Sequence, residues 1–234
     1  MKLTTISLSL LAMSSSLAFA GTMGPVVMVP TMKEGFYAGA GIGGAMYNDK
    51  ISGLNPSNSA QVEKSFNNNS ALASIFAGVG QTYFDKYYLG AEANSYFPSH
   101  RVVWQDRPGV SVTQYTYEDQ FQIQNYVNLD LLPGYRIRPE WLVYGRVGIS
   151  FSNIVLNQEP NTAADVSMYS SNTTATGGRF GGGLAYQITE HVGAGIDYYY
   201  AYNPTSNHSF NDKNTVVSIN SHLNYIGYSL FYTV

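Results

Sequence analysis

The sequence predicts an all-β protein, an eight-stranded antiparallel up-and-down transmembrane β-barrel that is preceded by a cleaved signal peptide. Three observations support this prediction. Apolar residues recur with a period of two along most of the chain. Short turns alternate with long polar connections. Charged residues make up only 12% of the 234 residues, against about a quarter in a typical soluble domain, and much of the polarity comes instead from uncharged side chains, among them 20 tyrosines.

The first 20 residues have the three parts of a signal peptide. Lys2 supplies the positive charge, residues 6–13 form the apolar stretch, and Ala18-Phe19-Ala20 is the small-residue cleavage site. We therefore expect export with removal of residues 1–20, and we assign residues 21–34, which contain two prolines, to an irregular periplasmic lead-in. The alternative is an uncleaved anchor, but the apolar stretch is shorter than the roughly 20 residues that a transmembrane helix needs.

Eight segments of the barrel, assigned to residues 35–234, alternate apolar and polar residues. In one of them Phe121, Ile123 and Val127 are expected to face away from Gln122 and Gln124. A bulge is expected near Asn224, where the last segment fits the alternation less well. The strands are predicted at residues 36–47, 72–81, 87–97, 121–131, 143–155, 179–188 and 192–202, and in the segment that leads to Val234.

The connections between these segments are of two kinds. Three short turns are predicted at residues 82–86, 133–141 and 189–191, and four long polar loops at residues 48–70, 98–118, 157–177 and 203–214. This alternation is typical of transmembrane barrels, with turns in the periplasm and loops outside, so both termini are expected in the periplasm. Aromatic residues near the turns and the C-terminus predict an interfacial girdle: Tyr83, Phe84, Tyr87, Tyr88, Tyr135, Trp141, Tyr186 and Tyr232.

A soluble lipocalin-like barrel is the main structural alternative. Such a barrel carries its bulky apolar residues inside and its charges outside. Here the apolar face has almost no charge, while the opposite face is rich in Gly, Ser, Asn, Gln and Tyr. The pattern therefore favours a barrel whose apolar face meets lipid.

Five segments carry a resemblance to a known family: residues 128–135 (NLDLLPGY), 142–148 (LVYGRVG), 180–189 (FGGGLAYQIT), 195–199 (GIDYY) and 227–232 (GYSLFY). With them the chain resembles the eight-stranded outer-membrane protein A-like barrels, especially the opacity-type surface antigens of gammaproteobacteria. The resemblance implies an outer-membrane protein. It also implies that Gly227, Tyr228, Leu230 and Tyr232 are read by the barrel-insertion machinery, although the chain ends in Val234 rather than Phe.

Five charged residues are expected to point into the barrel: Glu92, Asp130, Arg146, Asp197 and, higher up, Arg179. Eight strands leave an interior that side chains just fill, so buried charges should pair. We expect the acids to surround Arg146. Two interpretations remain open, a structural plug of ion pairs and a gate of the kind that the resemblance implies for Glu92, Arg146 and Asp197.

Three functions are consistent with the sequence. The first is a non-enzymatic structural and interaction protein, surrounded by outer-membrane lipid, whose four outer loops meet host, phage or lipopolysaccharide molecules. The second is a narrow channel for ions or small solutes. The third, a lipid-modifying enzyme, is disfavoured because Ser221 and His222 are adjacent and must face opposite sides of a strand. The net charge of −3 without a basic block excludes a nucleic-acid partner, and no cofactor or metal is expected.

Overall fold

The computed structural model describes residues 32–54, 61–98, 101–104, 117–160, 169–209 and 216–234. The predicted signal peptide and most of the lead-in lie outside these residues. No helix within them is long and apolar enough to cross a membrane. The strands are β1 (Gly35–Leu54), β2 (Gln61–Tyr83), β3 (Tyr87–Pro98), β4 (Arg101–Trp104), β5 (Tyr117–Arg138), β6 (Trp141–Pro160), β7 (Tyr169–Gln187), β8 (Val192–Ser209) and β9 (Val216–Thr233).

The strands form one closed antiparallel sheet. Apart from β3 and β4, strands that follow each other in the chain pair with each other, and β1 pairs with both β2 and β9. The short strand β4 continues β3 along the same edge of β5, so the ring has eight strand positions. The predicted eight-stranded up-and-down barrel is confirmed, and closure leaves no free edge along the paired ladder.

Alternate residues of each strand face opposite sides of the barrel wall, as the sequence period predicts. Along β1, Phe36 and Ile42 are 72% and 69% exposed on the outer face, whereas Tyr37 and Tyr47 are buried inside. The outer face of β6 carries Val147 and Ile149, and its inner face carries Arg146. The barrel therefore has an apolar exterior, as a lipid-facing barrel requires.

The predicted facing is wrong at one end of β5. Phe121 and Ile123 are fully buried inside the barrel, although they lie on the predicted outer face. The reason is a β-bulge: Ile123 pairs with Ile154 and Asn125 with Asn153, so Gln124 is an extra residue that shifts the alternation by one. The bulge predicted near Asn224 is also wrong, because that residue pairs regularly with Met46 and Tyr200.

The strands extend further than predicted. β1 and β2 stay paired up to Leu54 and Gln61, so most of the predicted loop at residues 48–70 is a long hairpin. Similarly, residues 133–138 belong to β5 rather than to a turn, which leaves only residues 139–140 between β5 and β6. Backbone pairing needs no apolar period, so the polar Asn- and Ser-rich segments concealed these strand ends. The tips at residues 55–60, 105–116, 161–168 and 210–215 lie outside the described residues.

Two clusters of buried apolar side chains lie in the barrel interior. We call the end with the short turns at residues 84–86, 139–140 and 188–191 the turn end, and the opposite end the loop end. The turn-end cluster contains Met32, Tyr88, Leu132, Leu142, Tyr144, Ala185 and Phe231. The larger loop-end cluster includes Tyr47, Leu72, Tyr96, Phe121, Ile123, Tyr126, Ile154, Tyr199, Leu223 and Tyr225. Polar and charged side chains occupy the level between them.

Candidate functional site

The interior between the two clusters holds the five charged residues singled out in the sequence, and we call them the charged layer: Glu92, Asp130, Arg146, Arg179 and Asp197. Arg146 lies at the centre of this layer. Its Nη1 donates to Glu92 Oε1 at 2.8 Å and to Asp130 Oδ2 at 2.6 Å, and its Nη2 donates to Asp197 Oδ1 at 3.0 Å. One guanidinium thus binds carboxylates from three strands, β3, β5 and β8.

Arg179 belongs to the same layer. It lies opposite Gly148, two residues nearer the loop end than Arg146, and Gly148 in turn pairs with Asp130. Its Nε donates to Asp130 Oδ1 at 2.7 Å, and its Nη2 also contacts Asp130. Asp130 is therefore held by two guanidinium groups, in the charge-assisted geometry that makes strong hydrogen bonds.

Neutral polar side chains complete the hydrogen bonds of the layer. Asn94 donates to Asp130 Oδ2 at 2.8 Å, and Asn128 donates to Asn94 Oδ1 at 2.9 Å. The Tyr144 hydroxyl donates to Asp197 Oδ1 at 2.7 Å. A buried charge is tolerated only when it is paired and hydrogen-bonded, and these contacts meet that condition for each acid.

Glycines on β6 and β7 make room for these side chains. A Cβ built on Gly148 would lie 2.9 Å from the Asp130 Cα and closer still to the Asp130 carboxylate. A Cβ on Gly183 would meet the Tyr144 ring at 2.6 Å and Asp197 Oδ1 at 2.8 Å. The glycine-rich inner face thus allows large polar side chains to reach across a narrow barrel.

Three tyrosines cover the charged layer on its loop-end side. The rings of Tyr199 and Tyr225 stack with centroids 4.7 Å apart, and Tyr96 meets both edge-on. The Arg179 guanidinium lies 4.5 Å from the Tyr199 ring centroid and 5.4 Å from that of Tyr96, within cation–π range. These three tyrosines belong to the loop-end cluster, so the charged layer packs directly against that cluster.

Lys33 is a contributor that the sequence analysis did not identify. Its Nζ lies 3.3 Å from Glu92 Oε2, and the residue is buried. The segment before β1 has no alternation, so no pattern indicated which of its side chains enters the barrel. The only available signal was a lysine beside an apolar Met32, immediately ahead of the first strand.

On the outer wall, the aromatic residues near the turns are exposed, with one exception. Tyr88 points into the barrel and belongs to the turn-end cluster, so its place in the predicted girdle is wrong. Exposed around this end are Tyr83, Phe84, Tyr87, Tyr135, Trp141, Tyr186 and Tyr232. Tyr228 and Leu230 also point outward, whereas Gly227 faces the interior against the Tyr225 ring.

No geometry for acyl transfer is present at Ser221 and His222. Ser221 faces the interior and donates to Asp49 Oδ1 at 2.6 Å. His222 lies on the other face, where its Nδ1 is 2.6 Å from the Tyr200 hydroxyl. Within the described part of the chain, no group of three or more His, Cys, Asp or Glu could hold a metal ion.

The chain is similar to several proteins of known structure. The outer membrane protease OmpT of Escherichia coli has a TM-score of 0.52 at 11% identity, over 87% of this chain and 98% of that chain. OprG of Pseudomonas aeruginosa has a TM-score of 0.49 at 13% identity, over 88% and 99%. Ail, the attachment invasion locus protein of Yersinia pestis, has a TM-score of 0.38 at 14% identity, over 83% and 99%.

Of these three likenesses, the one to OmpT, with a TM-score above 0.5, supports a shared fold, and an identity of 11% supports no more than the fold. No curated protein matches the sequence. The family described as "Outer membrane protein beta-barrel domain" matches residues 6–225, nearly the whole chain. The protein is therefore a member of the outer-membrane β-barrel family.

Proposed function

We propose that this outer-membrane barrel is a non-enzymatic surface protein that acts through its loop end, with an interior that conducts no solutes. The observation that carries the proposal is the filling of the interior. The charged layer spans the barrel, and apolar side chains fill the space on both sides of it. An eight-stranded barrel filled in this way has little room for a transported solute.

The orientation is part of the same proposal. Short turns face the periplasm and long loops face outside in transmembrane barrels, so we assign the turn end to the periplasm. The loop end then carries the four outer connections at the cell surface, where host, phage or lipopolysaccharide molecules are met. A cysteine introduced near the loop end, as in Asn67→Cys, should react with an impermeant maleimide on intact cells. Labelling of Glu190→Cys instead would reverse the orientation.

Two further steps follow from an exported barrel. Residues 1–20 are removed, and the insertion machinery reads the C-terminal pattern of Gly227, Tyr228, Leu230 and Tyr232. The mass of the mature protein tests the first step, since it should correspond to a chain that begins at Gly21. A Tyr232→Asp variant should accumulate outside the membrane, whereas Asn224→Asp should insert normally.

The decisive experiment is conductance in planar lipid bilayers. Purified wild-type protein should give no stable openings. In a separate assay on cells, deletion of individual outer loops should abolish binding of the host, phage or lipopolysaccharide molecules. Stable openings of the wild-type protein would contradict the proposal. Fatty-acid release from phospholipid or lipopolysaccharide, if it persisted after purification of the protein from a strain without endogenous lipases, would instead establish a lipid-modifying enzyme.

A narrow channel is the second candidate, and one observation favours it. Arg146 Nε, Arg179 Nη1 and Ser150 Oγ are buried without a hydrogen-bond partner among the described residues. Buried polar atoms normally form hydrogen bonds to protein or water. Water that enters the charged layer could supply the hydrogen bonds that these three atoms lack. Stable openings of the wild-type protein, with a different conductance in the Arg146→Met variant, would favour the channel over the surface protein.

A further inference from the structure

The side chain of Lys33 occupies an aromatic cage at the turn end of the barrel. Its Nζ lies 4.8 Å from the ring centroid of Tyr37, 4.9 Å from Tyr144, 5.0 Å from Phe231 and 5.5 Å from Phe76. Glu92 Oε2 is the charged partner at 3.3 Å, and it also accepts a hydrogen bond from Tyr37 at 3.1 Å. Four ring faces and one carboxylate are the elements from which proteins build sites for organic ammonium groups.

The backbone around Lys33 is held as firmly as its side chain. The Lys33 N–H donates to Thr233 Oγ1 at 3.2 Å, and its carbonyl accepts from the Tyr88 hydroxyl at 3.3 Å. The Met32 carbonyl accepts from Arg136 Nη2 at 2.6 Å, and the Met32 N–H donates to Gln187 Oε1 at 3.2 Å. The partners come from β9, β3, β5 and β7, so the segment crosses the opening of the barrel.

The backbone conformation of Lys33 is unfavourable for a lysine. Its φ of 59° lies in the left-handed region, which glycine adopts readily and other residues avoid. A lysine in this conformation needs a compensating interaction, and its buried side chain makes one. Lys50, by contrast, pairs with Glu63 on the exposed surface of β1, where both side chains are more than half exposed.

We propose that Glu92 and the four rings form a binding site for a primary alkylammonium group, and that Lys33 is its built-in ligand. Occupation of this site holds Met32–Glu34 across the turn end as a plug. The site recognises an ammonium at the end of an apolar stem, since one carboxylate and four aromatic rings surround the Lys33 Nζ. The inference goes beyond the proposed function, because it holds whatever the outer loops bind.

A thiol reporter tests the plug, since the natural chain has no cysteine. In folded protein, Met32→Cys should react with a maleimide at least about tenfold more slowly than Glu190→Cys, which lies in an exposed turn at the same end. Adding Lys33→Gly to Met32→Cys should remove most of this protection, whereas adding Lys50→Gly should not. Equal rates at the two thiols in the otherwise natural chain would overturn the plug.

The sign of a stability change tests the ammonium site itself. If the Lys33 side chain made no stabilising contact, Lys33→Gly would raise the melting temperature, because glycine adopts the left-handed conformation without strain. The proposal requires the opposite, a lower melting temperature. Lys33→Gln, which keeps part of the stem without the charge, should also have a lower melting temperature. If either variant does not fold, Lys33→Met replaces it in the test. A rise in melting temperature for the variants that fold would contradict the site.

Chemical rescue identifies the ligand class. n-Butylammonium is the lysine side chain cut at the Cα–Cβ bond, so it should restore part of the melting temperature lost in Lys33→Gly. The wild-type protein, whose site is occupied, should not respond. n-Butanol at the same concentration and sodium chloride at the same ionic strength are the controls. Equal effects of n-butylammonium and n-butanol would show that the site does not recognise an ammonium group.

Discussion

Arg146 Nη1 and Asp130 Oδ2 lie 2.6 Å apart in the barrel interior, with both side chains almost completely removed from solvent. Neither partner could be buried alone, because an unpaired charge in such a site is strongly unfavourable. The contact also links β5 to β6 across the charged layer, and Arg179 adds a third strand, β7, through the same carboxylate. Removal of one partner therefore affects the whole layer.

Replacing Arg146 should destabilise the barrel. Arg146→Met keeps much of the side-chain volume but leaves Glu92, Asp130 and Asp197 without their shared cation, which we expect to cost about 3–5 kcal/mol. The free energy of unfolding can be measured by urea titration in lipid vesicles, with the chain's two tryptophans as the fluorescence signal. Arg138→Met, at an exposed position near the turn end, is the control and should change stability by less than about 0.5 kcal/mol.

A methyl group at Gly148 should disturb Asp130. Gly148→Ala places a Cβ against the backbone and carboxylate of Asp130, so we expect a loss of about 1–3 kcal/mol from overpacking. Gly178→Ala, on the neighbouring strand, is a matched control because a Cβ there meets nothing within 4 Å. The same urea titration measures both variants. Equal stability of the two would mean that the strands do not approach as closely as described.

An arginine on the outer wall should be more destabilising the deeper it lies in the membrane. Val147 is exposed on the lipid-facing side, six residues above the start of β6. Val147→Arg should cost roughly 2–4 kcal/mol in lipid, whereas Ile188→Arg, in a turn-end connection, should cost about 0–1 kcal/mol. Insertion into vesicles and the unfolding free energy there both report the difference. Comparable tolerance at both positions would contradict the assignment of the outer face.

The extra residue in β5 should be dispensable for the loop-end cluster. Deletion of Gln124 brings Ile123 next to Asn125, opposite the adjacent residues Ile154 and Asn153, so Phe121 and Ile123 still face the interior. We therefore expect the deletion to stay within about 1 kcal/mol of wild type in the urea titration. Ile123→Ala, which leaves a cavity in the interior, should instead cost about 2–5 kcal/mol. A deletion variant as unstable as Ile123→Ala would show that the bulge itself supports the cluster.

The period of two was sufficient to predict which side of the barrel wall most side chains face. Wherever the strands pair without an extra residue, as between Tyr37 and Tyr47, the facing read from the sequence matches the structure. It failed at Phe121 and Ile123 because one inserted residue reverses every facing beyond it, and nothing in the residue types around Gln124 marks an insertion. Strand length was underestimated for a related reason, since backbone pairing continues through polar residues.

The charged layer shows how far the sequence could predict a three-dimensional site. Facing and distance from the nearest turn were enough to group Glu92, Asp130, Arg146 and Asp197. The same reasoning placed Arg179 higher up, and in the register of β6 and β7 it lies two residues nearer the loop end than Arg146, from where its long side chain reaches Asp130. Lys33 was missed because it reaches the layer from outside the strands, where neither facing nor register applies.

The hydrogen bond from the Lys33 N–H to Thr233 has a consequence for the order of events in assembly. It joins residues that are 200 positions apart, at the seam where the first and last strands meet. An amino-terminal segment that depends on the last strand cannot adopt its final place until the ring is complete. The segment synthesised before every strand is thus among the last to settle, and its burial distinguishes a finished barrel from an open, partly inserted sheet.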